Sequence, residues 1–268
     1  MAGYHAKKRL GQNFLISEEI INRIVTTINP ESDSDTIIEI GPGRGALTLA
    51  LAQTGVKIIA VEYDRNLIAY LEKLLKPFNN VQLINTDFLS YQPNITGYKL
   101  VGNLPYNITS PVIEWTMRNV EALKSAFFMM QKEFAQRVIS SPGSKDWSPL
   151  AIFTQQFFKI EKGFDIPPDC FSPQPKVTSS FLKFTPDKKG EIIHFAQFEK
   201  LVRLAFKQRR KILLNNLIPD IIPDLVVAKE IFEKLKISEK SRAEQLSTEQ
   251  FLALTNYLVN HNIINIKQ

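Results

Sequence analysis

The amino-acid sequence predicts an α/β fold, in which a largely parallel sheet carries helices on both faces and a small C-terminal α-helical domain follows. Two observations predict it. Between residues 36 and 184, short apolar runs alternate with helical stretches, which is the order typical of parallel sheets. After the polar linker at 186–190, apolar residues recur at helical spacing. We therefore expect two domains, residues 1–187 and 188–268.

The predicted elements follow from local patterns. The strands are expected at residues 36–40, 57–62, 81–85, 99–102, 126–130, 157–163 and 179–184. The last two have no helix between them, which predicts an antiparallel pair at one edge of the sheet. The helices are expected at residues 46–54, 66–75, 111–119, 195–211, 228–235 and 248–260. Ahead of the sheet, Ser17 is placed to cap a further helix that runs to Ile28.

Composition excludes several classes of protein. The chain has 268 residues, of which 44% are apolar and 22% charged, as is usual for a folded globular protein. The longest uncharged runs contain polar residues and are shorter than the ~20 apolar residues of a membrane span. The N-terminus lacks the apolar run of a secretory signal. Cys170 is the single cysteine, so neither an internal disulfide nor a multi-thiolate metal site can form. Since no other metal-ligand spacing occurs either, these observations together lead us to expect a cytoplasmic protein with no metal site and no membrane association.

Positive charge is concentrated in two segments of the chain, whose net charge is +6. One is residues 7–9, and the other contains six basic residues and no acid: Lys200, Arg203, Lys207, Arg209, Arg210 and Lys211. Such a concentration favours a polyanionic partner, because each neutralised phosphate releases counterions. A solvated helix face is the alternative interpretation.

A glycine-rich loop, Glu39-Ile-Gly-Pro-Gly-Arg-Gly, joins the first predicted strand of the sheet to the next helix. Ligands of parallel sheets bind at the carboxyl ends of the strands, where glycines let the backbone approach them. A plain flexible turn is the alternative, and the spacing differs from that of a pyrophosphate-binding loop. Glu62 and Asp87 end the next two strands, where they are placed to accept from the ribose hydroxyls and the adenine amino group of an adenosine cofactor. Each is alternatively a helix cap or a surface acid.

The motif Asn103-Leu104-Pro105-Tyr106 follows the fourth strand of the predicted sheet. Pro105 restricts Leu104 to extended backbone, so the Leu104 carbonyl is held beside the side-chain oxygen of Asn103. Two such acceptors suit an exocyclic NH₂ group and would turn its nitrogen lone pair towards an electrophilic methyl group. Tyr106 offers a ring for base stacking, worth about 1–3 kcal/mol in single-strand binders. A turn with an incidental tyrosine is the alternative interpretation.

Taken together, these motifs resemble those of class I (Rossmann-like) S-adenosylmethionine-dependent methyltransferases that act on adenine N6. Segments 8–15, 171–179, 206–211 and 242–247 are similar to those of the ribosomal RNA adenine N6,N6-dimethyltransferases, and the resemblance covers about residues 5 to 260. The Gly-Pro-Gly loop and Asn-Leu-Pro-Tyr-Asn-Ile resemble the branch called KsgA. The related Erm methyltransferases usually have Gly-Lys-Gly and Asn-Ile-Pro-Tyr.

The resemblance implies roles for individual residues. S-adenosylmethionine would be held by Asn13, Leu15, Gly41, Glu62, Asp87 and Asn103. The catalytic set would be Asn103, Leu104, Pro105, Tyr106 and Phe171, with Tyr106 and Phe171 sandwiching a flipped adenine. The six basic residues between 200 and 211 would bind RNA. The implied substrate is two adjacent adenines in the 3′-terminal hairpin of small-subunit (16S) ribosomal RNA in immature subunits, and the enzyme is expected to be a monomer. Transfer would be direct and in line, without a strong general base.

Other functions compete with this one. A ribosome-assembly factor for which methylation is secondary would use the same basic segment, although the intact motifs favour catalysis. An Erm-like enzyme acting on large-subunit RNA is a second alternative. A nicotinamide-dependent oxidoreductase is disfavoured by the loop spacing, and methylation of protein or small-molecule amines is disfavoured by the basic helical domain.

Overall fold

The computed structural model describes residues 11–32, 34–187 and 194–264. The basic residues 7–9, the first residues of segment 8–15 and most of the 186–190 linker lie outside these ranges. The chain divides into two compact units, Met1–Ala135 with Phe158–Pro186 and Gln136–Phe157 with Asp187–Gln268. One crossing between the units lies at the expected linker, while residues 136–157 group with the second unit. The division into domains of 1–187 and 188–268 stays a prediction.

The first unit contains the strands and most of the helices between them. Its strands are β1 (Phe14–Leu15), β2 (Thr36–Ile40), β3 (Lys57–Glu62), β4 (Val81–Asn85), β5 (Tyr98–Asn103), β6 (Leu123–Gln131), β7 (Phe158–Ile166), β8 (Phe171–Ser172) and β9 (Ser179–Pro186). Its helices are α1 (Glu18–Ile28), α2 (Ala46–Ala52), α3 (Arg65–Leu75) and α4 (Thr109–Arg118). The helix α5 (Lys132–Val138) crosses the unit boundary.

A seven-stranded sheet with the order β4-β3-β2-β5-β6-β9-β7 forms the centre of this unit. The first five strands are parallel, and β9 and β7 complete the sheet as an antiparallel pair at its edge. This confirms the predicted α/β class and the edge pair. The bounds of β2, β3 and β4 are those expected from the sequence. Central strands are apolar almost throughout because helices cover both of their faces.

Helix starts in this unit follow the expected capping chemistry. The Ser17 side chain accepts from the main-chain N–H of Ile20, and α1 ends at Ile28 as predicted. Asp64, directly after β3, caps α3 in the same way by accepting from Asn66. The buried face of α1 packs against α2 and the sheet in one apolar cluster. These helices therefore hold the strand ends, and the loops that follow them, in fixed positions.

The second unit is helical, with α6 (Pro149–Phe157), α7 (Phe195–Ala205), α8 (Leu213–Leu217), α9 (Leu225–Lys234) and α10 (Thr248–Asn260). The bounds of α10 and its capping box at Ser247 are those expected. The prediction of one helix over 195–211 was wrong, since α7 ends at Ala205. The Asn216 side chain donates to the carbonyls of Ala205 (2.7 Å) and Gln208 (3.2 Å). It thereby takes the Ala205 acceptor that a continuing helix would use.

Some structural features were not predicted. Helices α5 and α6 were missed between β6 and β7, as was α8 in the second unit. In addition, β1 pairs with β8 in a separate two-stranded antiparallel sheet. Residues 14–15 and 171–172 are far apart in the chain, so no local pattern reports this pairing. Within the described ranges, the helices are too short or too polar to cross a bilayer.

Candidate active site

A cavity of about 290 Å³ opens at the carboxyl ends of the parallel strands in the first unit. This is where parallel sheets bind their ligands. Its lining includes eight of the residues predicted for the cofactor and for catalysis: Asn13, Gly41, Glu62, Asp87, Asn103, Leu104, Pro105 and Tyr106. Phe171 also lines it. Leu15 does not; its side chain is 7% exposed and belongs to the apolar core.

The glycine loop is packed tightly against the N-terminal segment. Gly43 has a φ of +57°, and a Cβ atom there would lie 2.8 Å from the ring of Phe14. Only glycine therefore fits. The Arg44 guanidinium lies over the same Phe14 ring, 4.8 Å from the ring centroid. Phe14, Gly41 and Gly43 all line the cavity.

Glu62 is the buried acid of the site. It is 5% exposed, and burial raises the pKa of its carboxyl group. Two main-chain donors hold it: Gly43 N–H on Oε2 at 3.2 Å and Asp64 N–H on Oε1 at 2.8 Å. These bonds favour the charged form against the effect of burial. A carboxylate has about four acceptor positions, so these contacts leave acceptor capacity for a ligand in the cavity.

Asp87 caps a turn and also lines the cavity. Its Oδ1 caps the short 3₁₀ turn Phe88–Ser90 by accepting from the main-chain N–H of Leu89 at 3.0 Å. The same residue lines the cavity from the end of β4. Between the two acids, Tyr63 lines the cavity with a ring that is 62% exposed. Sequence reasoning missed Tyr63, although an aromatic residue directly after a strand-end acid is a detectable signal.

Asn103 is oriented by the main chain of the N-terminal segment. Its Nδ2 donates to the carbonyl of Asn13 at 2.8 Å. A carbonyl can only accept, so the amide is fixed with Nδ2 on that side and Oδ1 on the other. The neighbouring backbone is also held, because Leu104 N–H donates to the Met129 carbonyl on β6 at 3.0 Å.

The two carbonyls that follow Asn103 differ in their partners. The Pro105 carbonyl accepts from Ile108 N–H and from the Thr109 hydroxyl, both at 3.1 Å. The Leu104 carbonyl accepts no hydrogen bond from the described residues. The expected acceptor pair, the Asn103 side-chain oxygen and the Leu104 carbonyl, is therefore chemically able to receive an NH₂ group.

The two aromatic residues expected to sandwich a base differ in accessibility. Tyr106 is half-buried, and burial raises the pKa of its hydroxyl while the nearby Ser179 side chain opposes that rise. Phe171 lines the same cavity but is only 3% exposed and belongs to the apolar core. Tyr106 thus presents the more accessible ring. Ser179, which also lines the cavity, was not predicted as a site residue.

Comparison with known proteins agrees with this geometry. Residues 3–260 match the family described as ribosomal RNA adenine dimethylase. The chain belongs to this family. It is a methyltransferase that dimethylates adenine in ribosomal RNA, using S-adenosylmethionine as its family does.

Similar proteins cover almost the whole chain. It is 38% identical to the ribosomal RNA small subunit methyltransferase A of Saccharophagus degradans, over 96% of each chain. It is also 38% identical to that of Neisseria gonorrhoeae strain NCCP11945, over 97% of this chain and 99% of the relative. Among solved structures, a dimethyladenosine transferase from Plasmodium falciparum is similar with a TM-score of 0.83 and 26% identity, covering 94% of this chain and 99% of that one. The 23S rRNA methyltransferase ErmE has a TM-score of 0.73 and 25% identity, over 92% and 100%.

The six residues predicted to bind RNA lie in the second unit of this dimethylase, and they differ in their contacts. Arg203 forms an ion pair with Glu199 at 2.7 Å, and Lys207 lies 3.8 Å from Asp220. Arg209 donates to the carbonyls of Lys145 and Trp147 and pairs with Glu244. The other three, Lys200, Arg210 and Lys211, are exposed and have no acidic partner among the described residues. RNA binding by the six residues stays a prediction.

One buried acid near the site had no predicted role. Glu39 lines a second, smaller cavity of about 40 Å³ beneath the glycine loop, which Leu15 and Asn103 also line. Burial raises the pKa of Glu39 to about 7, and its Oε2 has no hydrogen-bond partner among the described residues. The position of Glu39 at the start of the glycine-rich motif was the sequence feature that could have identified it. In the described part of the chain, no group of three or more His, Cys, Asp or Glu side chains is suited to a metal ion.

Proposed function

We propose that this dimethylase modifies two adjacent adenines in the 3′-terminal hairpin of small-subunit ribosomal RNA, within immature subunits in the cytoplasm. The observation that carries the proposal is the shared cavity, in which Glu62 and Asp87 lie beside Asn103 and Tyr106. Small-subunit RNA is favoured over the Erm substrate because the relatives at 38% identity carry the name of small-subunit enzymes, whereas identity to ErmE is 25%. We expect the enzyme to act as a monomer.

The cavity residues fit S-adenosylmethionine. At about 290 Å³ the cavity is near the lower end of the usual range of about 300–1,000 Å³ for small-molecule sites. Glu62 offers acceptor positions for the ribose hydroxyls, and Asp87 offers Oδ2 for the adenine amino group. Asn13, Gly41 and Asn103 also line the cavity and are assigned to the methionine end of the cofactor. The buried Leu15 anchors the N-terminal segment that carries Asn13. When bound, this cofactor supplies an electrophilic methyl group on a sulfonium centre.

The protein prepares the acceptor nitrogen. The adenine amino group is a poor nucleophile because its lone pair is delocalised into the ring. The Asn103 Oδ1 and the Leu104 carbonyl accept its two hydrogens, and these bonds favour a pyramidal nitrogen with its lone pair free for attack. Pro105 keeps the Leu104 carbonyl in place through its restriction of the preceding residue. Tyr106 stacks on the base and Phe171 supports the second face, offsetting the few kcal/mol that base flipping costs.

No strong base is required in this arrangement. The nitrogen becomes acidic only after the new N–C bond forms, so its proton then leaves readily to water. Among the described residues that line the cavity there is no histidine. In the second methyl transfer one N–H is left on the amine, so only one of the two acceptors holds it.

The basic residues of the second unit are proposed to bind the RNA backbone. The exposed Lys200, Arg210 and Lys211 are the best placed, because their charges are not neutralised by an acid among the described residues. The ion-paired Arg203 and Lys207 keep partial accessibility, and Arg209 contributes to the same surface while it stabilises its own unit. These contacts would supply affinity that is independent of sequence.

The test is transfer of labelled methyl groups from S-adenosylmethionine to purified subunits, followed by nucleoside analysis and mapping. Immature small subunits, mature small subunits and large subunits are compared, with the Asn103→Ala variant as the inactive control. We expect dimethyladenosine at two adjacent positions near the 3′ end of small-subunit RNA only. Transfer to large subunits would contradict the small-subunit assignment. Tight binding to small subunits without any transfer would instead favour an assembly factor.

A further inference from the structure

The N-terminal segment of residues 11–15 contacts the catalytic loop of residues 103–107 as well as the glycine loop. The contact at Asn103 has a chemical consequence. Because the Asn13 carbonyl accepts from Nδ2 at 2.8 Å, a 180° turn of the Asn103 amide would bring two oxygen atoms together. The segment therefore determines which end of this amide is available to a methyl acceptor.

Gly11 makes the second contact with the catalytic loop. Its φ is +61°, and a Cβ atom there would lie 3.3 Å from Asn107 Oδ1, 3.6 Å from Pro105 Cβ and 3.9 Å from the Tyr106 nitrogen. The backbone of Gly11 thus lies directly against three consecutive residues of the loop. The Asn13 side chain donates to the Gly11 carbonyl at 3.3 Å, which ties the two contacts together.

The same segment continues into the strand that holds Phe171. In the β1–β8 sheet Leu15 is opposite Phe171, and Phe14 is opposite Ser172. One residue further, the Ile16 N–H donates to the Cys170 carbonyl at 2.9 Å. One short stretch of chain therefore joins the loop that carries Tyr106 to the loop that carries Phe171.

We propose that Gly11 is a positioning residue for the methyl acceptor, which keeps the Tyr106 loop at the distance from Phe171 that an adenine requires. The inference rests on the proposed function, because it concerns the base that enters between these two rings. The positive φ at position 11 favours glycine. A Cβ atom there would press on Asn107 Oδ1 at 3.3 Å and contact Pro105 and Tyr106 at ordinary distances. Gly11 also lines the cavity, and in this role it acts through the catalytic loop rather than through the cofactor.

The experiment compares Gly11→Ala with Gly97→Ala, a matched control. Gly97 also has a positive φ (+73°), but a Cβ atom there meets no atom within 4 Å. Both variants carry the backbone strain, and only Gly11→Ala presses on the catalytic loop. We expect Gly11→Ala to lower kcat by about 10- to 100-fold, as small misplacements of reacting groups do. We expect its cofactor dissociation constant, measured by calorimetry, to stay at the unaltered value, and Gly97→Ala to retain kcat.

A double variant shows whether the effect passes through the loop. The tightest contact of an alanine at position 11 is with Asn107 Oδ1, so Asn107→Ala should relieve it. We expect Gly11→Ala to cost less in the Asn107→Ala background than in the unaltered chain, which a double-mutant cycle measures. This comparison stays informative if Gly11→Ala alone folds poorly, because the unfolding temperature can be compared in the same way. Gly11→Ala should lower it less in the Asn107→Ala background than in the unaltered chain.

The outcomes separate this inference from the proposed function. If the unaltered enzyme is active and Gly11→Ala retains its kcat, the positioning role is wrong. It is equally wrong if Gly11→Ala loses activity only through weaker cofactor binding, or if Gly97→Ala loses as much. If the unaltered enzyme transfers no methyl group to RNA, the proposed function fails and the inference fails with it.

Discussion

The carboxylate of Glu62 accepts a hydrogen bond from the main-chain N–H of Gly43 at 3.2 Å. This bond joins the end of β3 to the glycine loop that follows β2. It holds the acid that is expected to bind the ribose beside the loop expected to receive the methionine end of the cofactor. A single side chain therefore connects the two strand ends on this side of the cavity.

Replacing Glu62 should weaken cofactor binding selectively. Glu62→Ala removes charge-assisted hydrogen bonds worth about 1.5–3 kcal/mol, so we expect the dissociation constant of S-adenosylmethionine to rise by about 10- to 100-fold. Calorimetric titration measures it, with Tyr106→Ala as the comparison, since Tyr106 is assigned to the base. An equal loss of cofactor affinity in both variants would contradict this division of roles.

Replacing Tyr106 should lower turnover through the base. Tyr106→Ala removes stacking worth about 1–3 kcal/mol, and kcat/KM for RNA should fall accordingly. Tyr106→Phe keeps the ring and loses only the hydroxyl group, which is influenced by the nearby Ser179 side chain, so it should retain most of the activity. Steady-state methyl transfer at saturating cofactor measures both. Equal losses in the two variants would show that the hydroxyl, and not stacking, is the important feature.

Removing two exposed cations should flatten the salt dependence of RNA binding. In the double variant Arg210→Ala/Lys211→Ala, the slope of log K against log salt should decrease by about 2 if each residue neutralises one phosphate. Lys57→Ala is the control, because this exposed lysine begins β3 at the end opposite the cavity. Filter binding at several salt concentrations measures the slope. An unchanged slope in the double variant would place the RNA-binding surface elsewhere.

Arg209 should differ from its neighbour Arg210 in its effect on stability. Arg209→Ala removes the donors to the Lys145 and Trp147 carbonyls, and we expect a loss of about 1–3 kcal/mol in the free energy of unfolding. Arg210→Ala, at an exposed position without an ion pair among the described residues, should leave stability unchanged. Urea unfolding compares them. If both variants are as stable as the unaltered chain, the Arg209 contacts contribute nothing measurable.

Glu39 should make stability depend on pH between about 4.5 and 7. Its pKa is raised from 4.5 to about 7, so in this interval the folded state binds more protons than the unfolded state, and stability falls as pH rises. Glu39→Gln removes this dependence. Its free energy of unfolding, compared with that of the unaltered chain, should therefore increase by up to about 3 kcal/mol as the pH rises from 4.5 to 7.5. Urea unfolding across this range measures it, with the exposed Glu72→Gln as control. A parallel pH profile for Glu39→Gln and the unaltered chain would show that Glu39 does not titrate there.

Much of the fold and of the cofactor half of the site followed from local patterns. The bounds of β2, β3 and β4 were predicted because fully buried parallel strands appear as continuous apolar runs. The shared cavity of Glu62, Asp87 and Asn103 could be expected because parallel strands end at the same edge of the sheet. The family resemblance added Asn13, which no local pattern connects to that edge.

Contacts between distant parts of the chain decided the rest. The hydrogen bond between Asn13 and Asn103, the pairing of β1 with β8, and the end of α7 at Ala205 each depend on a partner outside any local window. The burial of Phe171 likewise results from packing in the core. The sequence by itself determined the class of fold and the chemistry of the strand ends, because periodicity and residue type are local properties. Tertiary structure alone decided how the acceptor side is oriented, because hydrogen-bond direction and packing distance arise only when remote segments meet.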